Sequence, residues 1–293
     1  MGVQQLCHAT NCGFGDLLVQ VVALAWLVAL ALLAVAALSY VRDAKEAVDE
    51  EANRTRAEIQ ALQRFRRQVT SLDASVPVQQ AGPGGGAVGL GVARTRPPDD
   101  RLERVRTAYR ETVMAVPHYE EDYGESLRTH LAAEFGEEVA HAVVDGQGFT
   151  PQLRQILLRV ADEGETRRED LLAALEREHE RLGDYEASLA RIEATGDDVI
   201  DRPLYQQSFA DLFAAWFEYE DLEAEADRLL ADRQETIHRD RTGPAVDRDR
   251  DSFHAYLYGD LDVDYPVLAA GATVLQRLRD SRREVLNALT RRV

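Results

Sequence analysis

Three Glu-x-x-His pairs, Glu138/His141, Glu176/His179 and Glu235/His238, are the residues of this chain best spaced for chemistry. On a helix that spacing puts both ligands on one face. Di-metal four-helix bundles use two such pairs with one further Glu from each of two other helices. Position argues against that use here. Glu176 and His179 flank the apolar row of Leu175 and Leu182 instead of occupying it, and Glu235 and His238 stand near a charged helix end beside Ile237. Glutamate is abundant, so the pairs read as solvated helix faces. A carboxylate-bridged metal bundle is the weakest of the functional readings. No catalytic, cofactor-binding or metal-ligating residue is assigned.

Tyr109, Tyr119, Tyr123 and His118 gather with Glu120, Glu121 and Asp122 around Pro117. Such a group suits a small-molecule or partner site, and equally a helix junction packed with aromatics, which is its ordinary use. Gly84-Gly85-Gly86 lacks the Lys-Ser/Thr of a phosphate-binding loop. Serine is sparse, and no Ser/His/Asp order can be defended. Near the C-terminus Arg277, Arg279, Arg282, Arg283, Arg291 and Arg292 outweigh Asp280 and Glu284. They suit pairing with the acidic long helices, with an anionic membrane surface as the alternative.

The two cysteines, Cys7 and Cys12, both precede the rest of the chain's chemistry. They are either a disulfide compatible with an oxidising exterior or two small residues in a tail. With His8 they are too few for a comfortable zinc site.

The chain carries 52 acidic and 34 basic residues, a formal net charge of −18, and Lys45 is its only lysine. An acidic, lysine-poor surface suits high salt, where cations screen self-repulsion. The same balance argues against a nucleic-acid partner, which requires a basic footprint.

The elements that must position these groups begin with an apolar run, Leu17 to Leu38, with no charge and only Gln20 polar. As a helix it reaches roughly 33 Å, enough for a hydrocarbon core of ~30 Å. It is too long for a signal peptide, and no Lys or Arg precedes it. A transmembrane helix over 17–39 follows, with 1–16 as a short exterior tail. Arg42, Lys45, Arg54 and Arg56 on the other flank place the C-terminal part in the cytoplasm of a single-pass cell-membrane protein. The sequon at Asn53 reads as a chance match. Ala25, Ala29 and Ala37 offer only a weak helix-pairing face.

Residues 40–73 read as an amphipathic stalk. Heptads put Val41, Val48, Thr55, Leu62 and Val69 on one row and Ala44, Glu51, Glu58, Phe65 and Leu72 on the other, where two Glu residues spoil the seam. Residues 74–98 form a linker in which six of the ten residues from Gly82 to Gly91 are glycine, followed by Pro97-Pro98.

An acidic helical-bundle domain takes 99–293. Its first helix carries Leu102, Val105, Tyr109, Val113 and Val116, and ends near Pro117. Short helices follow with Leu127, Leu131 and Phe135, then Val139 and Val143. Thr150-Pro151 starts the longest helix, which runs to about Ala194 and ends at Gly196-Asp197-Asp198. Its seam is Ile156, Val160, Leu171, Leu175, Leu182, Tyr185, Leu189 and Ile192.

A second long helix from Pro203 to about Asp240 carries Phe209, Leu212, Trp216, Tyr219, Ala226, Leu230 and Ile237. The two long helices should pair as a coiled-coil-like antiparallel hairpin. A brief segment around Phe253, Tyr256 and Leu257 precedes a last helix. Asp264 caps that helix, Pro266 sits in its first turn, and its stripe is Leu268, Leu275, Leu278, Val285 and Leu289. No strand signal is present, so the fold class is all-α: one membrane span, a stalk and an elongated helical bundle.

Two segments, AYRETVMAVPHYEEDYG from Ala108 to Gly124 and YPVLAAGATVLQRLRDSRREVLNALTRRV from Tyr265 to Val293, give the chain a family likeness. It resembles a haloarchaeal family of uncharacterised, membrane-anchored helical proteins. The resemblance extends from the stalk to the C-terminus and supplies no catalytic residue or cofactor. The expected function is that of a non-enzymatic membrane protein. It would contact the bilayer through 17–39, and its helical domain would self-associate or bind a protein partner. A membrane-tethered sensory module is the alternative.

Overall fold

The structure, a computed structural model, describes residues 12–72, 100–242 and 253–292, with side chains for 39–72, 100–239 and 253–292. Among the described residues it is helical with no strand. The helices are α1 (Cys12–Ser71), α2 (Asp100–Thr112), α3 (Tyr119–Asp122), α4 (Leu127–Phe135), α5 (Glu137–Val144), α6 (Pro151–Asp198), α7 (Phe209–Thr242), α8 (Phe253–Tyr258) and α9 (Pro266–Thr290). Also among the described residues, no helix is long and apolar enough to cross a membrane. The span expected at 17–39 lies almost wholly outside the described side chains, as do the pair Cys7/Cys12. The linker 74–98 lies outside the described residues altogether.

The chain divides into two units, residues 49–177 (the mid-chain unit) and residues 1–48 with 178–293 (the terminal unit). Both boundaries fall inside long helices, so α1 and α6 each lend a segment to each unit.

In the mid-chain unit α1 and α6 run antiparallel. Arg154 donates to the Thr70 carbonyl, Gln63 to Glu165 and Arg56 to Glu176. Leu62, Phe65 and Val69 of α1 form one core with Leu102, Val105 and Tyr109 of α2, Leu131 and Phe135 of α4, and Leu153, Leu157 and Ala161 of α6. Phe65 meets Tyr109 edge-on, their ring centres 5.3 Å apart. Local signals set the short elements. Ser126 accepts from the Thr129 amide at the start of α4, and Thr150 accepts from the Leu153 amide where Pro151 opens α6. Gly136, at φ +93°, turns the chain between α4 and α5, a conformation that a side chain would strain.

In the terminal unit α6 and α7 are antiparallel, with Tyr185 on Asp232 and Tyr219 on the Gly196 carbonyl. α9 packs along α7. Leu182, Leu189 and Ile192 of α6, and Leu212, Tyr219 and Ala226 of α7, are buried as their spacing requires.

Five details of the expected pattern are corrected. α6 continues through Gly196, because the missing Cβ there makes room for Leu278, and the helix needs no stop at that glycine. α7 begins at Phe209 and not at Pro203. Ser208 and Asp211 exchange side-chain and backbone hydrogen bonds as a capping pair, and a short 3₁₀ turn takes Leu204–Gln206. Ile156 is exposed because Leu153, Leu157 and Ala161 hold the buried face there. Phe209 is likewise exposed, as the first residue of α7. At α9 the cap position is Tyr265, one residue past Asp264, with Pro266 in the first turn.

Candidate functional site

Each unit encloses one cluster of charged and hydroxyl side chains, and both arise from charges placed on otherwise apolar helix rows. Glu58 stands on the row of α1 that carries Phe65, seven residues before it. Arg168 stands on the row of α6 seven residues from both Ala161 and Leu175. A guanidinium at such a position must find carboxylates, since leaving it unpaired there would be costly.

Arg168 finds two. Its Nε donates to Glu58 Oε2 at 2.5 Å, and its two terminal nitrogens donate to Glu134 Oε1 and Oε2 at 2.8 and 3.1 Å. Glu58 Oε1 also accepts from the Tyr123 hydroxyl at 2.8 Å and lies 3.2 Å from His118 Nε2. Burial alone would raise the Glu58 carboxyl. The Arg168 charge and the hydrogen bonds from Arg168, Tyr123 and His118 outweigh it and hold the group below its ordinary value.

Above this group His130 is buried, with the rings of Tyr119 and Tyr123 at 5.1 and 4.9 Å and the Tyr109 hydroxyl 2.8 Å from its Nδ1. Desolvation pushes the His130 imidazole below its usual value, only partly offset by Glu134. Burial, then the Glu58 charge, pushes the Tyr123 phenol far up. A cavity of about 10 Å³, lined by Glu58, Tyr123, His130 and Arg168 with apolar neighbours, holds one water at most. Chemically, this cluster can fix a charge and accept a proton at His130. The cavity beside it leaves no room for a substrate.

The terminal unit has the drier cluster. Glu178, on the α6 row between Leu175 and Leu182, and Arg233 of α7 are both almost fully buried. Arg233 donates to both Glu178 oxygens at 3.2 and 2.6 Å, and the Tyr258 hydroxyl donates to Glu178 Oε1 at 2.8 Å. Arg233 also stands 3.2 Å from His254 Nε2. Burial raises the Glu178 carboxyl, but Arg233 and Tyr258 together bring it below the ordinary value. Beside them Tyr185 donates to Asp232 at 2.8 Å, and burial with that bond pushes its phenol up to about 12. The cluster fastens α8 to the α6/α7 pair.

The Glu-x-x-His residues do not converge. Glu138 is exposed and His141 pairs with Asp145. Glu176 holds Arg56, Glu235 pairs with Arg239, and His238 is exposed. Among the described residues no three His, Cys, Asp or Glu side chains come together as a metal-binding group. The tyrosines expected around Pro117 do assemble, with His118, but around a histidine and an ion pair that sequence reasoning missed: His130, Glu134 and Arg168. Glu178 and Arg233 were missed too. The available signal was the same for Arg168, Glu178 and Arg233: a charge at the three-and-four spacing of a buried row.

The C-terminal arginines pair internally within the terminal unit. Arg277 meets Glu193, Arg279 reaches Glu223 and Asp227, and Arg282 meets Glu223 at 2.9 Å while lying over the Trp216 ring. Arg292 donates to the carbonyls of Leu204 and Gln207 and ties the end of α9 to the turn before α7.

No curated protein and no solved structure matches the chain. A family model described as a domain of unknown function, DUF7260, matches residues 39–282. That span takes in every residue of both buried clusters, and the chain belongs to the DUF7260 family.

Proposed function

We propose that this chain is a single-span membrane protein whose acidic helical body does no chemistry of its own and acts by self-association or by binding a protein partner. The carrying observation is that both buried charge clusters close on their own side chains. Glu58, Glu134 and Glu178 are each paired with an arginine, and the cavity lined by Glu58, His130 and Arg168 is water-sized. Such groups serve as locks between helices and leave the outer faces for recognition.

The anchor rests on the 22-residue uncharged run from Leu17 to Leu38, polar only at Gln20, and on its continuity, within one helix, with the family domain that begins at residue 39. The basic residues Arg42, Lys45, Arg54 and Arg56 favour a cytoplasmic body and an exterior N-terminus. The acidic, lysine-poor composition favours a high-salt, haloarchaeal setting.

Cross-linking of the full chain in native membranes, in concentrated KCl, tests the association. The reagent should be carboxylate-directed, because Lys45 is the only lysine. A discrete product larger than the monomer is expected. A chain that stays monomeric, and joins no second protein across the whole reagent range, overturns the proposal.

A further inference from the structure

Residues 117–125 form a strap between α2 and α4, with α3 as its single helical turn. Its backbone hydrogen bonds close within the segment. The Asp122 amide donates to the His118 carbonyl, and the amides of Tyr123 and Gly124 donate to that of Tyr119. One turn does not keep such bonds in water by itself. Side chains hold it in place. Tyr123 donates to Glu58 at 2.8 Å, His118 Nε2 stands 3.2 Å from the same carboxylate, and Arg54 donates to Asp122 at 2.6 Å. Val116 and Tyr119 pack with Ala61 of α1 in a small apolar cluster. A segment tied down by so little apolar contact opens at lower cost than the core.

Beneath the strap lies His130, 4% exposed, with the Tyr119 and Tyr123 rings against it at 5.1 and 4.9 Å. Tyr123 is itself 38% exposed, so these rings separate the imidazole from solvent. Charged and hydroxyl groups face His130 from every element around it. They are Glu58 of α1, Tyr109 of α2, Tyr119, Tyr123 and Glu125 of the strap, Glu134 of α4 and Arg168 of α6. Burial weighs most against the charged ring, and Arg168 adds to it. The carboxylates of Glu134, Glu125 and Glu58 favour the charged ring, but burial prevails and the imidazole stays below its ordinary value. Water reaching the ring removes that penalty, and the strap is what must move to admit it. A proton bound more tightly by the open form shifts the balance towards opening.

We propose that the strap is an acid-operated latch: a proton taken from solvent by His130 releases residues 117–125 and uncovers a wall of Glu58, Ala61, Leu62, Val113 and Arg168. Those residues, with Tyr123 and His130, line the water-sized cavity of the closed form. Opened, they present a carboxylate and a guanidinium on an apolar floor. The latch needs no membrane anchor, since each of its groups belongs to the mid-chain unit.

Hydrogen exchange read by mass spectrometry tests it, on the full chain in mild detergent and concentrated KCl. The readout is the peptide holding the Asp122, Tyr123 and Gly124 amides, corrected for the intrinsic effect of pH on exchange. One proton taken up on opening predicts a rise of up to about tenfold from pH 7.5 to 5.5. Glu58, held below 4.5, stays ionised over that range. Amides of α6 from Leu157 to Ala161 should not change. His130→Gln should abolish the rise, and His118→Gln should keep it. Tyr123→Phe, which removes the hydroxyl bond to Glu58, decides the matter if His130→Gln fails to fold: exchange at pH 7.5 should quicken and the pH response remain. The latch is overturned by a flat pH profile, by a rise that survives His130→Gln or vanishes in His118→Gln, by an equal rise in α6, or by unchanged exchange in Tyr123→Phe.

Discussion

At the scale of single residues, Arg233 and Glu178 are the strongest test of what the buried charges do. Arg233→Ala leaves Glu178 buried and unpaired, which should cost about 3–5 kcal/mol in urea melts at fixed KCl. Arg233→Met combined with Glu178→Leu removes both charges at similar volume and should recover most of that loss. If the pair were kept for proton chemistry, the double variant would fold well yet lose function, so stability and association should be measured together. The pH dependence has a definite sign. His130 is held below 6.5 when folded, so its contribution is complete above that pH and falls as the pH drops from 6.5 through the lowered value. Glu58 and Glu178 are held below 4.5, and their stabilisation is present above 4.5 and lost as the pH falls further. Acid should therefore weaken the fold in two stages. His130→Gln should flatten the first stage alone in melts across pH 7 to 5.

At the scale of elements, two helical glycines separate packing from propensity. Gly183 in α6 has open space where a Cβ would stand, so Gly183→Ala should raise stability by up to about 1 kcal/mol. Gly271 in α9 would drive its Cβ into Leu230, so Gly271→Ala should lose more by overpacking than it gains, a net cost of about 1 kcal/mol. Thermal melts of both variants should move in opposite directions. Equal upward shifts would contradict the close approach of α9 to α7. The helices themselves were legible, because rows such as Leu102, Val105 and Tyr109, or Leu182, Tyr185 and Leu189, repeat at helical spacing and are buried as that spacing requires. Gly196 misled because a glycine before two aspartates reads as a stop, whereas its use is set by Leu278, eighty-two residues away. Phe209 misled because hydrophobicity alone puts a ring in the core. The clusters were half legible. The tyrosines around Pro117 were visible as a group, and Glu58 was visible as a flaw in a heptad. Its partners Arg168 and Glu134 lie on other helices, and only tertiary packing brings them together.

At the scale of the whole molecule, the proposal that an acidic helical body is held to a bilayer by the segment before residue 39 turns on whether that segment spans the membrane. Alkaline carbonate extraction of membranes from cells making the full chain tests that claim most directly, since it strips peripheral proteins and leaves those that span the bilayer. The chain is expected to stay with the membrane pellet, and deletion of residues 17–38 to move it to the supernatant with its helical content intact. Release of the undeleted chain by carbonate would contradict it.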